Sequence, residues 1–477
     1  MKLSELAKEI PGSQLKGDAE IRGLTADSRV AGEGDVFFCF CGKNSDAHEF
    51  AAEAEARGCA AVVCEYELPV MCAQLIVTDG RDAMARIAAA FYCHPERKLK
   101  MIGVTGTNGK TTTAAMICNI LQAAGYRTGL IGTLGAAYDT VRIAPSLTTP
   151  DPIGLFSLLS DMVSAGTSAA IMEVSAHALA LRKESPICYD VAVFTNLTRD
   201  HLDFFGDMET YGAAKRTLFC RGKCKYAVLN SDDAFSKTLA KGVRKITYGL
   251  ETPADAFAIV RSETLRECTA ILNLQDELCE VTIPMTGRFN LSNALAAACA
   301  VRRFGVDMQS IAEGIGATKV EGRLEWMGCY QGGDVFVDFA HTPDGLEKSL
   351  SALREHCAGR LIALFGCGGN RDRGKRAKMG ETAGRYADFC VLTSDNPRFE
   401  DPYAIISEIE TGMRSVSDAY IVQEERERAI AYAMGMLADG DILLIAGKGA
   451  EKYQEIMGIK YDYEDKAVIR SIIGKAS

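Results

Sequence analysis

The chain has 477 residues, 48% hydrophobic and 24% charged, the composition of a soluble globular protein with room for about three separately cored domains. Acidic residues outnumber basic ones, 63 to 53, for a formal net charge of −10. That balance disfavours nucleic acid and anionic membrane as main partners.

The opening residues, Met1 to Glu9, are amphipathic and acidic rather than a secretory signal, and no window has the length of a transmembrane helix. A cytoplasmic location without membrane insertion is therefore expected. The first segment then shows an apolar strand at Val36–Phe40, a helix over Ala47–Arg57 and a second strand at Ala60–Cys64. It closes on His94-Pro95-Glu96-Arg97-Lys98, a charged, proline-bearing run suited to a linker. The 17 cysteines read as reduced thiols filling cores. Cys39-x-Cys41 and Cys220-x3-Cys224 lack a partner pair or a histidine at zinc spacing, and the six histidines are too scattered for a metal cage.

The second segment begins with the most informative stretch, Gly103-Val104-Thr105-Gly106-Thr107-Asn108-Gly109-Lys110-Thr111-Thr112-Thr113. An apolar strand, Leu99 to Val104, precedes it, and a helix over Ala114–Ala124, ended by Gly125, follows. Glycines let backbone N–H groups close on phosphates, the helix end favours anions, Lys110 supplies charge, and a threonine hydroxyl can ligate magnesium. The strict phosphate-loop spacing has four residues between its first glycine and Gly-Lys, whereas Gly103 is followed by one more than that. Further strands fall at Ala169–Met172 and Val191–Phe194, with an alanine-rich helix near Leu291–Arg303.

The third segment follows Gly322-Arg323-Leu324-Glu325-Trp326. Its apolar strands, Val335–Phe339, Leu361–Phe365, Phe389–Leu392, Tyr420–Val422 and Ile442–Ala446, alternate with helical stretches. This is the pattern of a mostly parallel sheet with helices on both faces.

Polar clusters follow these strands directly: Glu173-Val174-Ser175-Ala176-His177, Thr195 to Asp203, Gly366 to Arg373, Thr393 to Arg398, and Gly447 to Glu451. Each alone reads equally as a solvated turn, but ligands bind at the carboxyl ends of strands in open parallel sheets. Beside the phosphate loop, Glu173 and His201 offer a carboxylate and an imidazole for magnesium; a helix cap and a structural histidine are the alternatives. In the last segment Arg371 and Arg398 can each grip a carboxylate, while Asp395 and Glu451 can hold an ammonium. Together they describe a site for an amino acid with more than one carboxylate, or else surface ion pairs. Pro397 fixes the backbone between Asn396 and Arg398.

Gly106-Thr107-Asn108-Gly109-Lys110-Thr111, Glu173-Val174-Ser175, Asn196 to Asp203 and Asp395-Asn396-Pro397-Arg398 together resemble the Mur ligases of peptidoglycan synthesis. The resemblance spans essentially the whole chain, and is narrowest to the members that add 2,6-diaminopimelate to UDP-N-acetylmuramoyl-L-alanyl-D-glutamate. It implies an α/β protein of three domains: 1–97 for the uridine nucleotide, 98–325 as a central ATPase with a mostly parallel sheet, and 326–477 as a Rossmann-like domain for the incoming amino acid. The family's loop carries the extra residue.

By resemblance, ATP is held by Gly106, Thr107, Asn108, Gly109, Lys110, Thr111, Thr112, Asn293, Arg323 and Asp338. Thr111, Glu173 and His201 serve magnesium with Lys215, which the family carries as a carbamate. Without the resemblance Lys215 reads as a solvated helix residue. Ser28, Asn44 (beside Lys43 and Ser45), Thr148, Thr149, Ser175 and Lys183 fall at positions that contact the UDP-muramoyl-dipeptide. Arg371, Asp395, Asn396, Pro397, Arg398, Gly447 and Glu451 fall in the diaminopimelate site. Two departures stand out. Lys183, after Leu181, replaces an arginine and loses its bidentate fork, and Ala450 replaces a histidine next to Glu451.

The resemblance further implies a monomer whose partners are small molecules, and an acyl-phosphate route to the amide. Lysine, lacking the second carboxylate, is expected to leave Arg398 unpaired at a cost of several kcal/mol. A ligase for another acceptor, such as a lysine-adding or folylpolyglutamate-type enzyme, and a non-catalytic homologue are the rival readings.

Overall fold

The computed structural model describes residues 1–42, 45–145 and 147–476. Each segment read from the sequence carries its own sheet. The first has five strands, in the order Gln14–Lys16, Ala73–Ile76, Ala61–Cys64, Asp35–Phe38 and Gly23–Thr25, antiparallel only at the first pair. The helix expected at 47–57 is a 3₁₀ turn, Ala47–Phe50, running into an α-helix, Ala51–Ala56; the Asp46 carboxylate caps the turn through His48 N–H. The linker expected at 94–98 is packed rather than solvated, since Pro95 and Glu96 are buried in a 3₁₀ turn.

The central sheet has eleven strands. Its parallel middle runs Ala256–Glu263, Arg244–Gly249, Tyr226–Asn230, Val191–Phe194, Lys100–Thr105, Ala169–Glu173 and Thr128–Gly132, with antiparallel strands at both margins. Helices Lys110–Ala123, Arg288–Arg302 and Met308–Gly316 pack on one face, and Gly80–Phe91 and Pro152–Ser164 on the other. The first helix begins at Lys110 rather than Ala114. Gly109, with φ +84°, turns the loop directly into the helix and leaves the N–H groups of the first turn facing the loop.

The antiparallel margin, Ala256–Glu263, Cys268–Leu274 and Glu277–Ile283, is absent from the sequence reading. Its strands alternate buried residues such as Cys268, Ala270 and Leu272 with more exposed ones. A search for continuous apolar runs passes over that period-two signal.

The last sheet has six strands, in the order Glu325–Tyr330, Gly333–Asp338, Ile442–Ala446, Leu361–Phe365, Phe389–Leu392 and Tyr420–Val422. All but the first pair are parallel, as the alternation of strands and helices requires. The carboxyl ends of both parallel sheets open onto one shared space.

Candidate active site

That space is a cavity of about 770 Å³ bordered by the phosphate loop, the ends of central strands 169–173, 191–194 and 226–230, and the loops of the last sheet. The loop is fixed by the next polar cluster along the sheet. Asn196 O accepts from Thr107 N–H at 2.9 Å and Asn196 Oδ1 from Asn108 N–H at 2.9 Å. Thr195 Oγ1 donates to Asn108 O at 2.6 Å, and any side chain at Gly106 would overlap that hydroxyl. Lys110 folds back over the loop, donating to Gly106 O at 2.9 Å and Thr107 O at 2.8 Å. Burial pushes its ammonium below the usual lysine value, against the pull of Glu173 and Asp200.

Glu173 ends its strand buried and does not cap the following helix; Ser175 does, through Ala178 N–H. Its carboxylate accepts from Thr111 Oγ1 at 3.0 Å, Thr133 N–H at 2.9 Å and Thr133 Oγ1 at 3.1 Å. Arg323 Nη2 reaches Thr111 Oγ1 at 3.0 Å while its guanidinium lies 4.3 Å from the centre of the Phe339 ring. The Asp338 carboxylate accepts from Leu324 and Ala340 N–H, each at 2.6 Å, and burial raises it despite Arg323. Asn293 Oδ1 accepts from Thr113 Oγ1 at 3.3 Å, beneath the loop.

His201, with φ +57°, follows Asp200, whose carboxylate lies 3.3 Å from its Nε2. Burial drives His201 down to about 3, so it is a neutral imidazole, the form that ligates metals. Asp200 is itself buried, yet His341 and Lys375, at 3.5 and 3.6 Å, keep it well below the usual carboxylate value. Lys215 lies in helix Met208–Arg216 and is 1% exposed, so the solvated reading of it is wrong. Its Nζ is 4.4 Å from the Tyr211 ring centre, and among the described residues no carboxylate lies within ion-pair distance of it. Burial, reinforced by Lys110, holds its ammonium far below the ordinary value.

Thr111 and Glu173 are adjacent hard oxygen donors of the kind magnesium takes. Among the described residues no three His, Cys, Asp or Glu side chains form a ready cage, so a metal here draws its other ligands from elsewhere. These residues fit a magnesium–nucleotide site rather than a free-standing metal centre.

Across the cavity, Asn396 Nδ2 donates to Glu451 Oε2 at 2.9 Å, and Lys448 Nζ bridges Asn396 Oδ1 and Glu451 Oε2 at 3.1 Å each. Glu451 thus stays tethered with Ala450 as its neighbour. Asp395 is buried, but Lys448 and Arg426 outweigh that and keep it ionised. A side chain at Gly447, whose φ is +111°, would press on Asp395 Oδ2. Arg371 is exposed to the cavity with no hydrogen bond or ion pair among the described residues. Arg398 pairs with Glu455, Nε to Oε2 at 3.1 Å. The expectation that lysine would leave Arg398 without any anion is therefore corrected.

Thr148 and Ser175 also border the cavity. Thr149 and Pro397 sit just behind it, Thr149 Oγ1 donating to Glu173 O at 2.9 Å. Ser28 lies in the first unit, donating to Glu53 at 3.2 Å, and Lys183 lies close enough to Asp151 and Arg81 to feel their charges. Neither borders the cavity. Lys43 and Asn44 lie outside the described residues. Thr133, Asp200, His341 and Lys375 were not singled out from sequence. Asp200 was within reach, inside the Asn196–Asp203 run, whereas Lys375 joins it only through the folding together of two sheets.

A phosphate loop facing a cavity wall that carries Arg371, Asp395, Arg398 and Glu451 is an arrangement suited to an ATP-dependent carboxylate–amine ligase. Residues 104–301 match the Mur ligase middle domain and 322–449 the Mur ligase glutamate ligase domain. The UDP-N-acetylmuramoyl-L-alanyl-D-glutamate–2,6-diaminopimelate ligase of Geobacillus thermodenitrificans is 40% identical over 99% of each chain. That of Xanthomonas campestris pv. campestris is 40% identical over 98% of this chain and 96% of its own. A solved structure of a ligase of that name superposes with a TM-score of 0.67 at 32% identity, covering 96% of this chain and 95% of the other. The chain belongs to the Mur ligase family.

Proposed function

We propose that this chain joins an amine of meso-2,6-diaminopimelate to the D-glutamyl carboxylate of UDP-N-acetylmuramoyl-L-alanyl-D-glutamate, cleaving ATP to ADP and phosphate. The observation that carries this reading is a single cavity with the phosphate loop on one wall and Arg371, Asp395 and Arg398 on the other. The names of its full-length relatives support the same substrates.

A carboxylate needs a better leaving group than oxide before an amine can displace it. A carboxylate oxygen takes the γ-phosphoryl group, giving an acyl phosphate and ADP. The amine attacks the carbonyl carbon, loses a proton, and phosphate departs. Lys110 leaves its two loop carbonyls for the phosphate oxygens, and the first-turn N–H groups of its helix add donors. Magnesium, when bound through Thr111, Glu173 and His201, offsets the phosphoryl charge. Lys215 is read as a carbamate: a buried, uncharged amine is the form that adds carbon dioxide, and the product is an anionic oxygen donor. Asn293, Arg323 and Asp338 are assigned to the rest of ATP.

The boundaries 1–97, 98–325 and 326–477 are assigned with the support of three separate sheets, the last of which begins at Glu325. Ser28 and Asn44 of the first unit, with Lys183 at its seam with the second, are assigned to the UDP-muramoyl substrate. A monomer working in the cytoplasm is part of the same proposal, carried by the family resemblance alone. Incubation with UDP-muramoyl-dipeptide, MgATP and either diaminopimelate or lysine, followed by weighing of the products, should yield the diaminopimelate amide. No amide with either amine would overturn the reading.

A further inference from the structure

The Asp395–Arg398 turn is held by a strand, Tyr453–Ile456, laid against it. Arg398 N–H donates to Glu455 O at 3.0 Å, Met457 N–H to Arg398 O at 2.7 Å, and Glu455 N–H to Asn396 Oδ1 at 2.9 Å. Arg398 has φ +53°, a left-handed conformation unusual for a long side chain, and this lacing maintains it.

The guanidinium is fixed from two sides. Its Nε donates to Glu455 Oε2 at 3.1 Å and its Nη1 to Gly369 O at 2.8 Å. Both side chains are largely buried, 17% and 21% exposed. These bonds occupy the Nε edge and one Nη1 hydrogen. Among the described residues Nη2 and the second Nη1 hydrogen have no partner, and this outer Nη1–Nη2 fork can take a carboxylate through two bonds. Arg398 borders the cavity and Glu455 does not.

We propose that Glu455 is a positioning residue for recognition of the acceptor's second carboxylate: it holds the Arg398 guanidinium so that the outer fork faces the cavity. This inference rests on the acceptor being an amino acid with a carboxylate at its far end, as assigned above. A pure charge argument points the other way, because an anion beside Arg398 weakens its pull on a second anion. Geometry and charge therefore predict opposite effects of removing Glu455. Without it, the guanidinium can turn about its terminal bonds while still reaching Gly369 O, and the fork loses its aim.

The test is steady-state kinetics of the full-length enzyme and its Glu455→Ala and Glu455→Gln variants, with diaminopimelate and with lysine, alongside thermal melting. Positioning predicts that Glu455→Ala raises KM for diaminopimelate by roughly tenfold, with kcat within about twofold and KM for ATP unchanged. Discrimination against lysine should fall in parallel. Glu455→Gln, whose amide oxygen still accepts from Nε, should remain within about threefold of the parent. An unchanged diaminopimelate KM in Glu455→Ala, or a KM that falls in both variants, overturns the inference. So does a loss that moves the ATP KM and melting temperature together, since that marks a structural role. No amide product from the parent enzyme would instead bring down the assigned reaction, and this inference with it.

Discussion

Arg199 donates Nε and Nη2 to the carboxylate of Asp372 at 3.2 and 3.3 Å, tying the loop after central strand Val191–Phe194 to the loop after Leu361–Phe365 of the last sheet. Asn108 Nδ2 adds a second tie to Asp344 Oδ2 at 2.8 Å, and Asp200 a third to His341 and Lys375. The catalytic cavity exists only while these sheets face each other. Arg199→Ala is expected to lower kcat/KM for amide formation by roughly fivefold, the scale of a half-exposed ion pair at about 1 kcal/mol. Affinity for a non-hydrolysable ATP analogue, measured by calorimetry, should fall by less, because the phosphate loop is built within the central unit and only Asp338 of the assigned ATP residues comes from the last. Equal losses in both measurements would show that the tie is not about closure.

Lys215 is buried, with no carboxylate partner among the described residues. If it works as a carbamate, Lys215→Ala should lose at least ~100-fold in kcat, on the scale of removing one preorganised charge. Added small carboxylates should restore part of that activity by supplying the missing anionic oxygen. Rescue by small amines instead would indicate that the working form is a plain ammonium.

Arg398→Ala removes the outer fork while leaving Glu455 behind as an unmatched, largely buried anion. Diaminopimelate use should fall by about 3 kcal/mol, or roughly 100-fold in kcat/KM, with ATP binding intact. Normal diaminopimelate kinetics in this variant would sink the assignment of Arg398.

Glu184 gives a pH test away from the site. It is 2% exposed, its Oε2 has no hydrogen-bond partner among the described residues, and Lys223 Nζ stands 3.7 Å away. Burial raises its carboxyl above the ordinary value, only partly opposed by Lys223. A raised carboxyl favours the folded state where it is protonated, and that contribution is lost as pH climbs through the folded value. Glu184→Gln should therefore stabilise the protein at pH 7 to 8, by about 1.4 kcal/mol for each unit of upward displacement, and give no gain near pH 4. Urea melts at the two pH values measure this; the same difference at both would refute it.

The phosphate loop was legible because its chemistry is local: strand, glycine turn and helix start are contiguous, and Gly109 can do its work only as glycine. The parallel strands of the last sheet were equally plain as buried apolar runs. The alternating 256–283 margin was not, because half of its residues face outward.

The sequence by itself determined where the candidate site residues fall, since Glu173 ends a strand and Lys110, His201 and the Asp395–Arg398 turn each follow one. What surrounds them was decided by tertiary structure. Asp200 meets Lys375 across 175 positions of chain, and Glu455 meets Arg398 through a strand that leaves little trace in periodicity. Lys215 loses its solvent only when its helix is packed. Burial and charge pairing depend on distances in space, and those are set by how the two sheets face each other, not by the order of residues along either one.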